Sequence, residues 1–311
     1  MGHDRVVRNR PIVGVRAQRH VMGIRGTSPA NSGTTPDSQL VYHRISPPTS
    51  WSNVSLTELW AFRDLFGILA QRDIKVRYKQ TLLGIFWVVL QPLATALIFA
   101  AVFGGFAKLP SDGAPYILFV FAAMLPWNLL AAGLTRAGNS LIGDAGLISK
   151  VYFPRIIIPI ASLSACLLDF AVTCGVMIVL SALLGTGPSL TWLAVAPLTV
   201  LVFVVILGTS LFFSALSVYY RDFKYLLPFA IQAWMYGSPL VYATSLIPPR
   251  WQVLYHLNPM AGIIDGFRWA LLGGREFPAT GLLMAVPEAL AIFLVGLYVF
   301  QRVERSFADV I

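Results

Sequence analysis

The sequence predicts an all-α integral membrane protein with six transmembrane helices. An amphipathic interface helix is expected before the first of them, and short outer helices are expected between the fifth and sixth. Of its 311 residues, 57% are hydrophobic and only 12% are charged, whereas soluble domains carry roughly 25% charged residues. The apolar residues form uncharged runs long enough to cross a bilayer, about 20 residues each. The formal net charge of +9 comes mainly from a basic tail and from loops, which is typical of membrane topology and does not indicate nucleic-acid binding.

Residues 1–54 are predicted to be a disordered, basic cytosolic tail. They are rich in Arg, Ser, Thr, Gly, Pro and Asn and show no sustained periodicity. No apolar core follows the early arginines, which argues against a signal peptide. Three interpretations stay open for the tail: a solvated extension, a start assigned upstream of the true one, or a tether to anionic lipid.

Residues 55–80 are predicted to form an amphipathic interface helix that continues into a basic entry segment. Ser55 and Glu58 make a capping box. The apolar residues on one helical face are Leu59, Phe62, Leu65, Phe66 and Leu69. We therefore expect a helix from Ser55 to about Arg72 in the membrane interface, although an ordinary charged flank before a span is the alternative. The basic residues that follow are Arg72, Lys75, Arg77 and Lys79.

The region 81–311 holds the predicted spans. They cover residues 81–107, 114–135, 156–184, 190–218, 226–246 and 280–300. The loops on one side of the membrane hold Lys79, Lys150, Arg155, Arg221, Lys224, Arg302 and Arg305. The opposite side holds only Lys108, apart from the irregular segment 248–276. The positive-inside rule then predicts that both termini are cytoplasmic.

The turn between the second and third spans, residues 139–154, is the most polar stretch inside the membrane region. Together with its flanks it carries Arg136, Asp144, Lys150 and Arg155 and the prolines Pro154 and Pro159. A basic, proline-punctuated turn between two spans is predicted to lie in the cytosol. We interpret it as the place where a cytosolic partner binds the membrane domain.

The segment 248–276 differs in kind from the spans. It is apolar, but it is interrupted by Arg250, His256, Asn258, Pro259, Asp265, Arg268 and Arg275. Such a stretch is too broken to cross the bilayer cleanly. Short helices that dip into the outer half of the membrane fit better, because irregular backbone is tolerated there when it is buried in protein or lines a cavity.

Catalysis by this chain is poorly supported. The sequence contains no GxxxxGK[ST] phosphate loop, no HExxH, no GxSxG and no Cys/His cluster with the spacing of metal ligands. Three of the four histidines lie in the tail, and Cys166 and Cys174 lie in one apolar run as packing residues. We therefore predict no catalytic residue, no metal and no cofactor on this chain.

Charged residues inside the membrane are costly and often functional. Asp169 lies in the third span, where it is predicted either to relay protons or contact substrate, or to hydrogen-bond a Ser, Thr or Asn of another helix. Glu288 lies in the sixth span and has similar alternatives, including pairing with Arg268 or Arg275. Asp265 and Arg268 are three residues apart, so a local ion pair is expected.

Aromatic side chains are numerous and have two interpretations. An aromatic belt at the membrane interfaces explains many of them. Their faces also stack on sugar rings, and the candidates for a channel or gate are Phe86, Trp87, Tyr236, Tyr242, Trp251, Tyr255 and Trp269.

Four stretches indicate a family. They are SKVYFPRIIIP at 149–159, RYKQTLLGIFW at 77–87, YRDFK at 220–224 and LNPMAGIIDGFR at 257–268. In this order they resemble the type-2 ABC exporter permeases, more narrowly the polysaccharide-export group that includes the Wzm and TagG permeases. The resemblance covers about residues 56–311, and the tail lies outside it.

The resemblance implies a homodimer in the bacterial inner membrane, with two copies of a separate ATPase subunit that carry the ATP and Mg. The interface helix and the 139–154 turn would couple to that subunit through Asp144, Lys150, Val151, Tyr152, Phe153, Pro154 and Arg155. The segment 248–276 would form outer gate helices. The first and fifth spans would line a channel at the dimer interface for a polyprenyl-diphosphate-linked polysaccharide such as O-antigen, capsule, teichoic acid or cell-wall galactan.

Some assignments stay open beside the resemblance. Arg72, Lys75, Arg77 and Lys79 lie where a diphosphate headgroup would enter, but they also serve as topology determinants. An ion-coupled secondary transporter would have to use Asp169 and Glu288, and such folds often contain repeated halves that are not seen here. A membrane glycosyl- or acyltransferase would need a catalytic constellation that the sequence lacks. A passive channel would need neither the interface helix nor the polar turn.

Overall fold

The computed structural model describes residues 56–79, 84–148, 150–151, 153–220, 222–273 and 276–304. All regular elements within these ranges are helical. The α-helices are α1 (Leu56–Ala61), α2 (Arg63–Lys79), α3 (Gly84–Phe99), α4 (Tyr116–Gly143), α5 (Ala145–Ile148), α6 (Ile157–Ser162), α7 (Ser164–Leu183), α8 (Val195–Tyr219), α9 (Phe223–Tyr236), α10 (Pro249–Tyr255), α11 (Pro259–Leu272) and α12 (Ala279–Glu304). A π-helical turn (Ala100–Phe106) extends α3, and 3-10 turns cover Leu190–Ala194 and Thr244–Leu246. The predicted tail 1–54 lies outside the described residues.

Within the described ranges, five helical segments are long and apolar enough to cross a membrane. They are Gly84–Phe106, Tyr116–Gly143, Ile157–Leu183, Leu190–Tyr219 and Ala279–Glu304. These segments correspond to the predicted spans one to four and six. The predicted fifth span contains α9, which has only 14 residues, or about 21 Å of helix. The count of six spans therefore stays a prediction.

Helix α4 is the central element of the bundle. In the most apolar stretch of α4, 78% of the residues are buried within the protein. In the most apolar stretch of the segment that begins with α3, only 6% are buried. Helices α7, α8 and α11 pack around α4, and α12 packs chiefly against α8. The main core is built from apolar side chains of these helices, among them Phe119, Leu130, Val205 and Phe267. Helix α3 thus lies at the edge, with most of its apolar surface uncovered by its own chain.

A second apolar cluster, here called the turn cluster, lies at the end of the bundle that carries the 139–154 turn. Its buried members are Leu69, Leu141, Ile148, Phe153, Ile156, Ile157, Ile158, Ala161, Leu211, Ala215 and Phe300. It joins α2 to the ends of α4, α8 and α12. We call this end of the bundle the turn end.

Helices α1 and α2 follow the predicted amphipathic pattern with two differences. Leu59, Phe62, Leu65 and Leu69 pack on the turn cluster, whereas Phe66, predicted on the same face, is 37% exposed. The second difference is that α2 runs to Lys79, so the basic entry segment is part of the same helix. The apolar stripe thus attaches α2 to the protein through one face.

Two crossings of paired glycines set the position of α12. A Cβ atom on Gly296 in α12 would lie 1.9 Å from the carbonyl oxygen of Gly208 in α8. A Cβ atom on Gly262 in α11 would lie 2.2 Å from the carbonyl oxygen of Gly281 in α12. Each pair lets two helix backbones approach closely, as small residues do between membrane helices. Helix α12 is thereby packed against α8 near one end and α11 near the other.

Candidate functional site

The predicted coupling turn has a buried side and an exposed side. It follows α4 and contains the single helical turn α5. Ile148, Phe153 and Ile156 are buried in the turn cluster, whereas Lys150 and Val151 are exposed. Tyr152, also predicted for coupling, lies outside the described residues. The apolar anchors therefore hold a turn whose tip presents a cation and an apolar side chain.

Arg72 links α2 to the start of this turn. Its two terminal nitrogens donate to the two carboxylate oxygens of Asp144 at 2.7 Å and 2.8 Å. Its Nε atom also donates to Asp73 at 3.0 Å. The hydrogen bond with Asp144 is the main reason that the pKa of Arg72 lies above its usual range. Two parallel bonds fix orientation as well as distance, so α2 and the turn are held in one arrangement.

Arg155 links the far side of the turn to α12. Its backbone N–H donates to Glu304 Oε1 at 3.2 Å, and its guanidinium donates to the Glu304 carbonyl oxygen. A cation at the C-terminus of a helix also suits the helix dipole. The turn is thus connected to α2 at one side and to α12 at the other.

Asp169 in α7 binds the end of α2. Arg77 pairs with the carboxylate, its Nε atom lying 3.0 Å from Oδ1, and the Tyr78 hydroxyl donates to the same carboxylate. Burial, and then the hydrogen bond to Asp169, raise the pKa of Tyr78 to about 12. The predicted partner type, a Ser, Thr or Asn side chain, is wrong: the partners are Arg77 and a tyrosine. Lys75 and Lys79, the other two basic residues of the entry segment, are exposed.

A cleft of about 380 Å³ opens above this ion pair, between α3, α4 and α7. Its walls are mostly apolar, but four uncharged polar groups face it beside the Arg77–Asp169 pair: Gln91, Thr95, Asn128 and Thr173. The two threonine hydroxyls bond carbonyls of their own helices. The aromatic candidate Trp87 lines the cleft although it is 56% exposed, and its neighbour Phe86, which is 51% exposed, is not among the lining residues.

Arg268 is the centre of a polar hub at the end of the bundle opposite the turn. It is fully buried and donates to the carbonyl oxygens of Phe119 at 3.3 Å, Tyr242 at 3.2 Å and Leu240 at 2.9 Å. It also lies 3.6 Å from the carboxylate of Asp265, which confirms the predicted ion pair. Asp265 in turn accepts from the Thr244 hydroxyl at 2.7 Å. This pair therefore holds the irregular backbone that follows α9.

Asn258 completes the hub at the start of α11. Its side-chain oxygen accepts from Trp234 Nε1 at 2.7 Å and from the Met260 N–H at 3.0 Å. Its amide nitrogen donates to the Gly237 carbonyl and the Ser238 hydroxyl, both at 3.0 Å. One side chain thus caps α11 and orders the end of α9. The polar residues of 257–268 therefore have structural partners within this chain.

The remaining candidate residues have different environments. Tyr236 and Trp251 are exposed, Trp269 packs edge-on against Phe277 at 4.9 Å between ring centroids, and the Tyr255 hydroxyl donates to that of Tyr242 at 3.1 Å. Burial raises the pKa of Tyr255 above its usual range. Within the described residues Glu288 Oε2 makes no hydrogen bond. Its suggested pairing with Arg268 is wrong, and Arg275 lies outside those residues.

Sequence reasoning did not single out three residues that the structure makes prominent: Gln91, Asn128 and Glu304. The first two are amides inside otherwise apolar runs, and polar residues within a span were the available signal. Glu304 carried no such signal, because its partner Arg155 is 149 residues away in the sequence.

Comparison with known proteins gives matches that agree with one another. A family model described as ABC-2 type transporter matches residues 64–272. Two O-antigen export system permease proteins RfbA of Klebsiella pneumoniae are 30% identical over 250 residues, which cover 80% of this chain and 95% of theirs. RfbA of Myxococcus xanthus is 26% identical over 257 residues, covering 81% and 97%. The polysialic acid transport protein KpsM of Escherichia coli is 21% identical over 247 residues, covering 76% and 92%.

Proposed function

The chain belongs to the ABC-2 type transporter family, and from this premise we propose that it is the permease subunit of an ATP-driven polysaccharide exporter. The observation that carries the proposal is the match to O-antigen export permeases along 95% of their length. The cargo we propose is a polysaccharide linked to a polyprenyl diphosphate. It would leave the cytoplasmic side of a bacterial inner membrane through a channel at a homodimer interface.

The proposed topology has six spans, both termini in the cytoplasm, and the turn end of the bundle facing the cytosol. The 14-residue helix α9 and the irregular backbone after it would form the fifth span. Helices α10 and α11 would then be the outer gate helices. The basic residues at the turn end support this orientation by the positive-inside rule.

The motor would be a separate ABC ATPase subunit, present in two copies and carrying ATP and Mg. The exposed tip of the turn, Lys150 and Val151, is where we expect it to bind. Because Arg72 joins α2 to Asp144, and Arg155 is joined to Glu304, a push on the turn would move α2 and α12 with it. This chain would perform no catalytic step.

Of the four basic residues proposed for headgroup entry, Lys75 and Lys79 are exposed, whereas Arg72 and Arg77 already hold carboxylates. The exposed pair is therefore the better candidate for first contact with a diphosphate. For the ion-coupled alternative, Asp169 is already engaged by Arg77, so Glu288 would have to carry the coupling alone.

The proposal is tested by purifying the full chain from its native membrane in mild detergent and identifying stoichiometric partners by mass spectrometry. A subunit with a phosphate-loop ATPase signature is expected. Val151→Asp is expected to lose that subunit, because it places a charge in an apolar contact. Val253→Asp, at an exposed site of α10 outside the five membrane-length segments, is the control and should retain it. A chain that arrives alone and transports without ATP would refute the proposal.

A further inference from the structure

The cleft between α3, α4 and α7 contains polar groups whose hydrogen-bonding capacity is not used. Within the described part of the chain, the side-chain amides of Gln91 and Asn128 make no hydrogen bond, yet both face the cleft. Asn128 is partly buried and Gln91 is exposed at the cleft; both lie on helices long and apolar enough to cross the membrane, where polar side chains without partners are costly. This pair of amides indicates a bound group with donors or acceptors of its own.

Arg136 adds a cation at the turn end of the cleft. It is one helical turn beyond Ala132, a lining residue, and therefore lies on the same face of α4. It is only partly exposed, and it makes no ion pair or hydrogen bond with any of the residues that the structure describes.

Other charges at the turn end of the cleft largely cancel one another. The charged groups within electrostatic range of the Cys166 thiol, on the cleft wall, are Arg136, Asp169, Arg77 and Asp73. Asp169 is paired with Arg77, and Asp73 with Arg72, which also holds Asp144. Of the four groups, Arg136 is the one without an ion-pair partner among the described residues, so it is the cation available to an anion at this end of the cleft.

The rest of the cleft suits an elongated hydrocarbon chain. Along α3 the lining residues run from Trp87 to Phe99, a rise of about 18 Å. Beside Trp87 and Phe99, the wall contains Pro92, Leu125, Trp127 and Phe170. A cationic end below an apolar wall of this length is complementary to an anionic headgroup with an attached chain.

We propose that this cleft within one subunit binds the lipid carrier of the cargo. Arg136 would contact the diphosphate, Gln91 and Asn128 would hydrogen-bond the polar part of the carrier, and the first isoprene units would lie along α3. The proposal rests on the proposed function for the identity of the lipid. It differs from a channel at the dimer interface because α4 and α7 of the same copy complete its wall.

The test uses the full chain with its ATPase subunit in phosphatidylcholine nanodiscs and a photoactivatable polyprenyl diphosphate as the probe. Labelling is expected on peptides of α3, α4 and α7. Arg136→Gln should lower labelling about tenfold or more, because it removes a charge-assisted bond, and Arg136→Lys should retain most of it. Arg302→Gln removes an exposed arginine of α12 at the same end of the bundle and should leave labelling unchanged. Ala132→Phe should abolish labelling by filling the cleft while the protein elutes as the wild type does.

Three results would overturn the inference: wild-type labelling by Arg136→Gln, labelling confined to other helices, or equal competition by phosphatidylglycerol and unlabelled polyprenyl diphosphate. The last result would mean an ordinary anionic-lipid site. The proposed function is tested separately, by supplying ATP to the wild-type complex and measuring export of lipid-linked glycan. No export would refute the proposed function. If the wild-type complex exports normally and the Arg136→Gln complex still binds the probe, only the proposal about the cleft is refuted.

Discussion

At the scale of single residues, Arg268 has the largest structural role in the hub. A fully buried guanidinium is tolerated only if its donors are satisfied, and here three backbone carbonyls and Asp265 satisfy them. Its carbon Cζ also lies 3.6 Å from the centroid of the Phe119 ring, a cation–π contact. The same side chain thus connects α11 to α4 and to the backbone after α9.

Arg268→Met is expected to destabilise the protein by about 3–5 kcal/mol, because it leaves buried carbonyls and Asp265 without their donor. Arg302→Met removes an arginine that is exposed and should change stability by less than about 0.5 kcal/mol. Unfolding in detergent, followed by the loss of a folded gel-filtration peak with temperature, measures both. Equal melting of the two variants would show that the hub contributes no stability.

Asp169→Asn separates the two interpretations of the charge in α7. If Asp169 serves as the ion-pair partner of Arg77, its replacement should lower the melting temperature of the protein. Transport should then stay independent of the proton gradient. Cys174→Ala, elsewhere in the same helix, serves as the control for a general effect on α7. Transport in vesicles with and without a proton ionophore measures the difference. A wild-type protein whose transport collapses with the ionophore while ATP remains present would support proton coupling.

At the scale of elements, α2 and the coupling turn are predicted to move as one body. Arg72→Asp should uncouple ATP hydrolysis from export, because it places two carboxylates together where a bidentate bond was. The double variant Arg72→Asp with Asp144→Arg should recover part of the coupling. A recovered interaction of about 1 kcal/mol would appear as roughly a fivefold change in transport per ATP.

The matched control for that charge exchange is Arg63→Asp. Arg63 lies on the same helix, but its contact with Asp64 is exposed on both sides, 60% and 88%, so little effect is expected. Equal export per ATP in the single variant, the double variant and the control would contradict a coupling role for the Arg72–Asp144 pair.

The glycine crossings give a prediction about packing of α12. Gly296→Ala should destabilise the protein by about 1–3 kcal/mol, because the new methyl group forces α8 and α12 apart. Gly175→Ala in α7 is the control, since a Cβ atom there meets nothing within 4 Å. Thermal unfolding of the two variants in the same detergent makes the comparison. Equal melting temperatures would contradict a close crossing.

The sequence predicts these elements unequally well. Apolar runs predict six spans, and five of these correspond to membrane-length helices among the described residues, because in a bilayer the helix satisfies its own backbone. The pair Asp265–Arg268 is predictable because residues three apart on a helix are neighbours. The Arg77–Asp169 and Arg155–Glu304 contacts join residues 92 and 149 positions apart, so their partners depend on helix packing that no local pattern encodes. The cleft was missed for the same reason, since three separate helices form it.

At the scale of the whole molecule, the uneven burial of the helices predicts where a second copy binds. Helix α3 is scarcely covered by its own chain, and large apolar side chains protrude from it and from α9, including Leu97 and Phe229. Such faces contact either lipid or protein. The proposed channel between two copies would place the first and fifth spans, and hence these two faces, at the interface.

Cysteine crosslinking in membranes tests this arrangement in a background with Cys166 and Cys174 replaced by alanine. Leu97→Cys and Phe229→Cys, which are 52% and 68% exposed, should each give a crosslinked dimer with a short homobifunctional reagent. Val179→Cys in α7 is the matched control, since it is 58% exposed but lies on a helix outside the predicted interface, and should stay monomeric. Crosslinking at position 179 alone would place the second copy against α7, and the channel would then have to be lined by other helices.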